Sequence, residues 1–208
     1  SHPGALEQIP RCLEELNARR VLLISGKYSL QASGMKQQVL EYLHNYKIFQ
    51  FNEFEVNPKL EDAVRGAHFA KTTNIDSILA IGGGSSLDMA KIIKAIFFDI
   101  GSAAEIAVGK KKINVLNLPI IAVPTTAGSG SEETHFAVVY VDGEKFSLAS
   151  PCLKPDRAIL DGLLLMSLPR YQRICSGLDA IAQAIESHWA VGATPESKKF
   201  AIAGLEKC

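Results

Sequence analysis

Ser77-Ile78-Leu79-Ala80-Ile81 runs straight into Gly82-Gly83-Gly84-Ser85-Ser86-Leu87-Asp88, and Met89, Ile92, Ile93, Ile96 and Phe97 follow. After Ser77 the run Ile78 to Ile81 is unbroken in apolar character, and continuity without alternation predicts a strand covered on both faces. The last five recur at i, i+3, i+4, i+7 and i+8, the stripe of an amphipathic helix. Between them three glycines leave the backbone without Cβ atoms and free to turn sharply, while the N–H groups and dipole of the following helix favour an anion such as phosphate. Ser85 or Ser86 is placed to donate a hydroxyl there or to cap the helix. The spacing is neither Gly-x-Gly-x-x-Gly nor that of a P-loop.

Outward from this unit the same alternation repeats. Val21-Leu22-Leu23-Ile24 predicts a first buried strand, Ser33 to Tyr46 a helix, and Ile48-Phe49-Gln50-Phe51 a second strand. Asn57-Pro58 opens a helix carrying Leu60, Val64 and Ala67, and Pro119-Ile120-Ile121-Ala122-Val123 is a fourth strand. Alternating strands and helices predict an α/β fold, a parallel sheet between helical layers with ligands at the carboxyl ends of its strands. At one such end lies Pro124-Thr125-Thr126-Ala127-Gly128-Ser129-Gly130-Ser131-Glu132, rich in hydroxyl donors for a phosphate, a ribose or an amide. Ala137 to Val141, Asp142-Gly143 and Lys145 to Leu148 then predict a β-hairpin. From Leu163 onward the pattern is helical, so an α/β domain at 1–165 is expected to precede the first helices of an all-α domain at 166–208.

Composition narrows the function classes. Of the 208 residues 47% are hydrophobic and 21% charged, and 22 Lys+Arg balance 22 Asp+Glu. That is a globular profile without the basic excess of a nucleic-acid or anionic-membrane binder, since Lys110-Lys111-Lys112 is a short run. The four cysteines show no Cys-x-x-Cys pair, which predicts a reducing, cytoplasmic setting, and no apolar stretch is long enough to cross a bilayer. The chain starts Ser1-His2-Pro3 and stops within a helical-looking segment, as expected of a processed or truncated protein. A third feature lies in that segment. In Gly177 to Trp189, the residues Leu178, Ile181, Ala182, Ile185 and Trp189 form a stripe expected to be buried, and Asp179, Gln183 and Glu186 share another face.

Taken in order, strand-Gly-Gly-Gly-Ser-x-x-Asp, Pro-Thr-Thr-x-Gly-Ser-Gly-Ser-Glu and a helical Gly-x-Asp-Ala make the chain resemble the iron-containing (group III) alcohol dehydrogenases, whose fold is dehydroquinate synthase-like. Val56-Asn57-Pro58 and Pro155-Asp156-Arg157-Ala158-Ile159-Leu160-Asp161 extend the match. The resemblance implies a dinucleotide-binding domain in which Gly82, Gly83, Gly84 and Ser85 hold the pyrophosphate, with Asp88 and Asn57 in the same motifs. It implies that Thr125, Thr126 and Ser129 lie along the nicotinamide and that Lys145 contacts the nicotinamide ribose. Where the family often has an aspartate for the adenine ribose of NAD, this chain has Gly26 followed by Lys27. Loss of that carboxylate and gain of a counter-charge predict NADP(H), with NAD as the other choice.

In the metal site the pattern breaks. The family's first ligand corresponds to Asp179, but its second, a histidine, corresponds to Gln183. His188 lies five residues beyond Gln183 and points about 140° away on a helix. His44, His68 and His135 fall in the α/β part, where structural or surface roles are expected. A carboxylate and an amide are a weak set for Fe2+ or Zn2+, which prefer imidazole. The resemblance implies a homodimeric oxidoreductase moving a hydride between NAD(P)H and a small aldehyde or primary alcohol. A dehydroquinate-synthase-type lyase and a non-catalytic nucleotide-binding protein are the alternatives.

Overall fold

The computed structural model describes residues 2–27, 30, 34–114, 117–166 and 168–207. Four strands, β1 (Arg20–Ser25), β2 (Lys47–Phe51), β3 (Ser77–Gly82) and β4 (Ile120–Pro124), match the four apolar runs to within a residue or two at their ends. A hairpin of β5 (Phe136–Val141) and β6 (Glu144–Ala149) follows, and the two-residue β7 (Arg157–Ala158) completes a parallel sheet of order β2-β1-β3-β4-β7. The pleat divides each run between two cores. Leu22, Ile24, Ile78, Ala80, Ile120 and Ala122 face one cluster, whereas Val21, Leu23, Leu79, Ile81, Ile121 and Val123 face the other. Burial on both sides is why β1, β3 and β4 are continuous in apolar character, whereas β2, at the sheet edge, is mostly half-buried or exposed and carries Gln50.

The α-helices whose full bounds lie among the described residues are α1 (Ile9–Glu15), α2 (Lys36–Tyr42), α3 (Leu60–Thr72), α4 (Gly84–Ile96), α5 (Ala103–Ala107), α6 (Leu163–Met166), α7 (Arg170–Trp189) and α8 (Pro195–Leu205). The first cluster packs α3, α4, α5 and the hairpin against the sheet, and the second packs α1 and α2 on the opposite face. The helix expected from Ser33 is shorter, starting at Lys36 and giving way to turns after Tyr42, while Ser33 itself lies outside the described residues. Asn57 takes a left-handed conformation at φ 61°, so α3 begins only at Leu60. Asp142 and Gly143 both have positive φ (50° and 84°), which supplies the twist a two-residue hairpin turn needs.

Two features have no counterpart in the sequence pattern. β7 is too short for a periodic signal and is held by Asp156, whose carboxylate accepts the Ile120 N–H at 2.8 Å. Asp161, 4% exposed, accepts from the N–H groups of Gly4 (3.0 Å), Leu6 (3.1 Å) and Leu163 (3.0 Å), tying the first residues to the start of α6.

The helical segment differs from expectation. It is broken into α6, α7 and α8, and the stripe predicted to be buried lies open: Leu178 is 62% and Trp189 77% exposed, with Ile181 and Ile185 half-buried. Its apolar spacing is real, but α7 packs on α8 and on the Thr-rich loop, and no described element covers the rest of the stripe. Thr194 starts α8 with a reciprocal cap, its Oγ1 accepting the Ser197 N–H at 3.1 Å. No helix among the described residues is long and apolar enough to cross a membrane.

Candidate functional site

Gly82 ends β3, Gly83 is the N-cap of α4, and Gly84 is its first residue. A run of three glycines suggests a sharp turn, yet none of the three has a positive φ, and Gly83 is extended at φ −75°, ψ −176°. What demands glycine at Gly82 and Gly83 is space. A Cβ on Gly82 would strike Ser86 Oγ and lie 2.6 Å from Ser86 Cβ; on Gly83 it would stand 3.2 Å from Thr126 Oγ1, and on Gly84 3.4 Å from Ser129 Oγ. The glycine loop and the Thr-rich loop therefore face each other across the carboxyl ends of β3 and β4, which pair Gly82 with Pro124. Buried Thr125 fixes that approach by donating its N–H to the Gly82 carbonyl at 2.9 Å.

The first turn of α4 presents donors. Ser86 and Leu87 N–H bond to the Gly83 carbonyl at 2.9 and 3.3 Å, and no hydrogen bond among the described residues takes up the N–H of Gly84 or Ser85. These orphan amides at the positive end of a 13-residue helix suit an anion. Ser85 does not cap the helix: its Oγ accepts the Asn57 N–H at 3.2 Å, bringing Asn57 to the glycine loop.

The other predicted residues are distributed as follows. The Gly26 nitrogen is 3.7 Å from where a Gly82 Cβ would stand, so the end of β1 borders the same cleft. Lys27 lines a cavity of about 560 Å³ with Asn52, Glu53, Glu55, Asp62 and Arg65. Asp88 requires a correction, because both oxygens point into the protein, accepting Ser131 Oγ at 2.8 Å and the Val138 N–H at 3.1 Å. Burial raises its carboxyl above the usual range against the pull of these bonds. Lys145 is exposed on β6 opposite Tyr140, whose N–H donates to Pro58, and no contact among the described residues joins Lys145 to Thr125 or Thr126.

Asp179 does reach the Thr-rich loop. Gly128, at φ 104°, lies so close to α7 that a Cβ would meet the Ser176 carbonyl at 2.5 Å and Asp179 Oδ2 at 3.0 Å. The Gly128→Ala variant is expected to strain the loop and push α7 off it, read as faster amide exchange in both segments while β1 to β3 stay protected. Gln183 donates Nε2–H to Asp179 Oδ2 at 3.1 Å. Among the described residues no three His, Cys, Asp or Glu side chains gather as a metal site, and a carboxylate engaged by an amide does not fit Fe2+ or Zn2+. His44 bonds the Glu41 carbonyl and His135 packs on the Phe136 ring, both local roles.

These features, a glycine cradle facing hydroxyls at the carboxyl edge of a parallel sheet and an aspartate helix against the second loop, coincide with a known family. Residues 1–162 match the family model described as iron-containing alcohol dehydrogenase. The chain belongs to that family. It is 31% identical over 206 residues to long-chain-alcohol dehydrogenase 1 of Geobacillus thermodenitrificans, covering 97% of this chain and 52% of that protein. Sulfoacetaldehyde reductase from Bifidobacterium kashiwanohense, solved in complex with NAD+, superposes with a TM-score of 0.90 at 29% identity over 96% of this chain and 53% of that one. NADH-dependent butanol dehydrogenase A from Thermotoga maritima gives 0.89 at 26% identity, with 98% and 52% covered. The chain thus spans about half the length of the relatives it matches. Within this iron-containing alcohol dehydrogenase chain, sequence reasoning misses Lys91, wholly buried beside the Thr-rich loop. Its signal is a polar pair, Asp88 and Lys91, at i, i+3 within the Met89, Ile92, Ile93 and Ile96 stripe of the helix.

Proposed function

We propose that the protein carrying this chain moves a hydride between NAD(H) and a small uncharged aldehyde or primary alcohol. The observation that carries this reading is the cradle in which the absent Cβ atoms of Gly83 and Gly84 face Thr126 and Ser129. A dinucleotide fits it, with Gly84 and Ser85 N–H holding the pyrophosphate, and Thr125, Thr126 and Ser129 on the nicotinamide side. When bound, that cofactor supplies the hydride donor or acceptor. The chain's own residues orient it, because two loops fixed to one sheet edge restrict where its far end lies. Asp179 and Gln183 do not fit the family's metal, and no step is assigned to one.

Beyond Thr126 and Gly128 lies a cavity of about 380 Å³ lined in part by Pro3, Pro124, Leu160 and Leu165, with Glu132 and Asp161 on its wall. Apolar walls favour a small, largely apolar substrate, since the Asp161 carboxylate is already taken up by backbone N–H groups and Glu132 stands with His2 on the same wall. The preference for NAD(H) is supported by the names of the two structural relatives and by the cavity beside Lys27. There Lys59 pairs with Glu55 at 3.2 Å and Arg65 with Asp62 at 2.8 Å, and Glu53 adds a third carboxylate. Such a wall is a poor counter-charge for a 2′-phosphate. Gly26 and Lys27 favour NADP(H) as the second reading. Calorimetric titration of the chain is expected to give at least tenfold tighter binding of NADH than NADPH. The reverse order selects the second reading, and no heat from either overturns the dehydrogenase assignment.

A further inference from the structure

We infer that Lys91 is a positioning residue that clamps the Thr-rich loop against the glycine loop, and that this clamp sets the affinity for the nucleotide. The second half of the inference rests on the functional reading above. Lys91 lies on α4 two turns beyond the glycine cradle and has no exposed surface. An ammonium without water needs three acceptors, and it has three: Ser131 Oγ at 3.1 Å, Thr134 Oγ1 at 3.1 Å and the Phe136 carbonyl at 2.8 Å. All three belong to the stretch that leaves the Thr-rich loop and enters β5.

Asp88, one turn earlier on the same face, completes the arrangement. Ser131 accepts from Lys91 and donates to Asp88, while the second Asp88 oxygen takes the Val138 N–H. One helix face thereby holds residues 131, 134, 136 and 138. Ser131 N–H in turn reaches Ser129 Oγ at 3.4 Å, and Ser129 is the side chain facing Gly84. The helix whose N-terminus forms the anion cradle thus dictates where the opposing hydroxyls stand. Burial pulls the ammonium down to about 8, with the Asp88 and Glu132 carboxylates opposing that fall. A buried cation with every donor used restricts geometry more than it stabilises, because removing one partner leaves the others buried and unpaired.

The test compares the parent chain with Lys91→Met and Ser131→Ala by amide hydrogen exchange and by NADH titration. Exchange in residues 129–138 is expected to quicken at least tenfold in both variants, with β1 and β3 unchanged, and the dissociation constant for NADH to rise at least tenfold. Unchanged exchange in 129–138, or exchange quickened evenly across the sheet, overturns the clamp. Faster local exchange with unaltered NADH affinity overturns its link to binding. If Lys91→Met does not fold, Ser131→Ala decides alone, since it deletes one hydroxyl and leaves Lys91 two partners. A parent chain that binds no NADH overturns the functional reading and the affinity link together, while the exchange measurement still decides the clamp.

Discussion

Gly82→Ala is expected to weaken NADH binding by about 100-fold or more, equivalent to roughly 3 kcal/mol. The added methyl would strike Ser86 Oγ and approach Ser86 Cβ at 2.6 Å, and Ser86 is itself buried in the first turn of α4. Relief requires that turn to move, and with it the Gly84 and Ser85 N–H groups on which the anion depends. Gly101→Ala is the matched control, because nothing lies within 4 Å of its added Cβ and its φ is not left-handed. It is expected to bind NADH as the parent does. Isothermal titration of both variants checks this, and a Gly82→Ala chain with parental affinity removes the glycine loop from the nucleotide site.

Asp161→Ala is expected to be the most destabilising single change outside the core. The carboxylate is nearly inaccessible and serves three backbone N–H groups from two separate segments. Truncation leaves those donors unpaired, a loss on the order of 3 kcal/mol, since a buried donor without a partner forfeits its hydration as well as its bond. In a chain of this size that corresponds to a fall in melting temperature of about 10 °C. Asp161→Asn keeps one acceptor oxygen and is expected to lose about half as much. Urea unfolding measures both, and a loss below about 1 kcal/mol for the alanine variant shows that water replaces the carboxylate.

The identity of the two loops is legible in the amino-acid sequence, because their residues are contiguous: Gly82 to Ser85 and Thr125 to Ser129 carry their chemistry in order along the chain. Why the glycines are needed is not. Local rules attribute a glycine run to left-handed backbone, whereas here the constraint comes from Ser86 and Thr126 crowding the missing Cβ positions of Gly82 and Gly83. Asp88 departs from its expected role for a related reason. Its place in the motif implies the cofactor, but its partners, Ser131 and Val138, lie more than 40 residues downstream. The stripe on α7 has the right period, yet periodicity states which residues share a face and not whether another element covers it.

Four strands, their parallel arrangement and the position of the cleft at their carboxyl ends were determined by the sequence alone, since apolar continuity and strand-helix alternation are properties of neighbouring residues. The meeting of the two loops, the buried Lys91 and its three acceptors, the Asp161 tie to the first residues and the contact of Asp179 with Gly128 were decided only by the tertiary structure. Each depends on which distant segments the sheet order brings within about 3 Å, a hydrogen-bonding distance that no local spacing encodes.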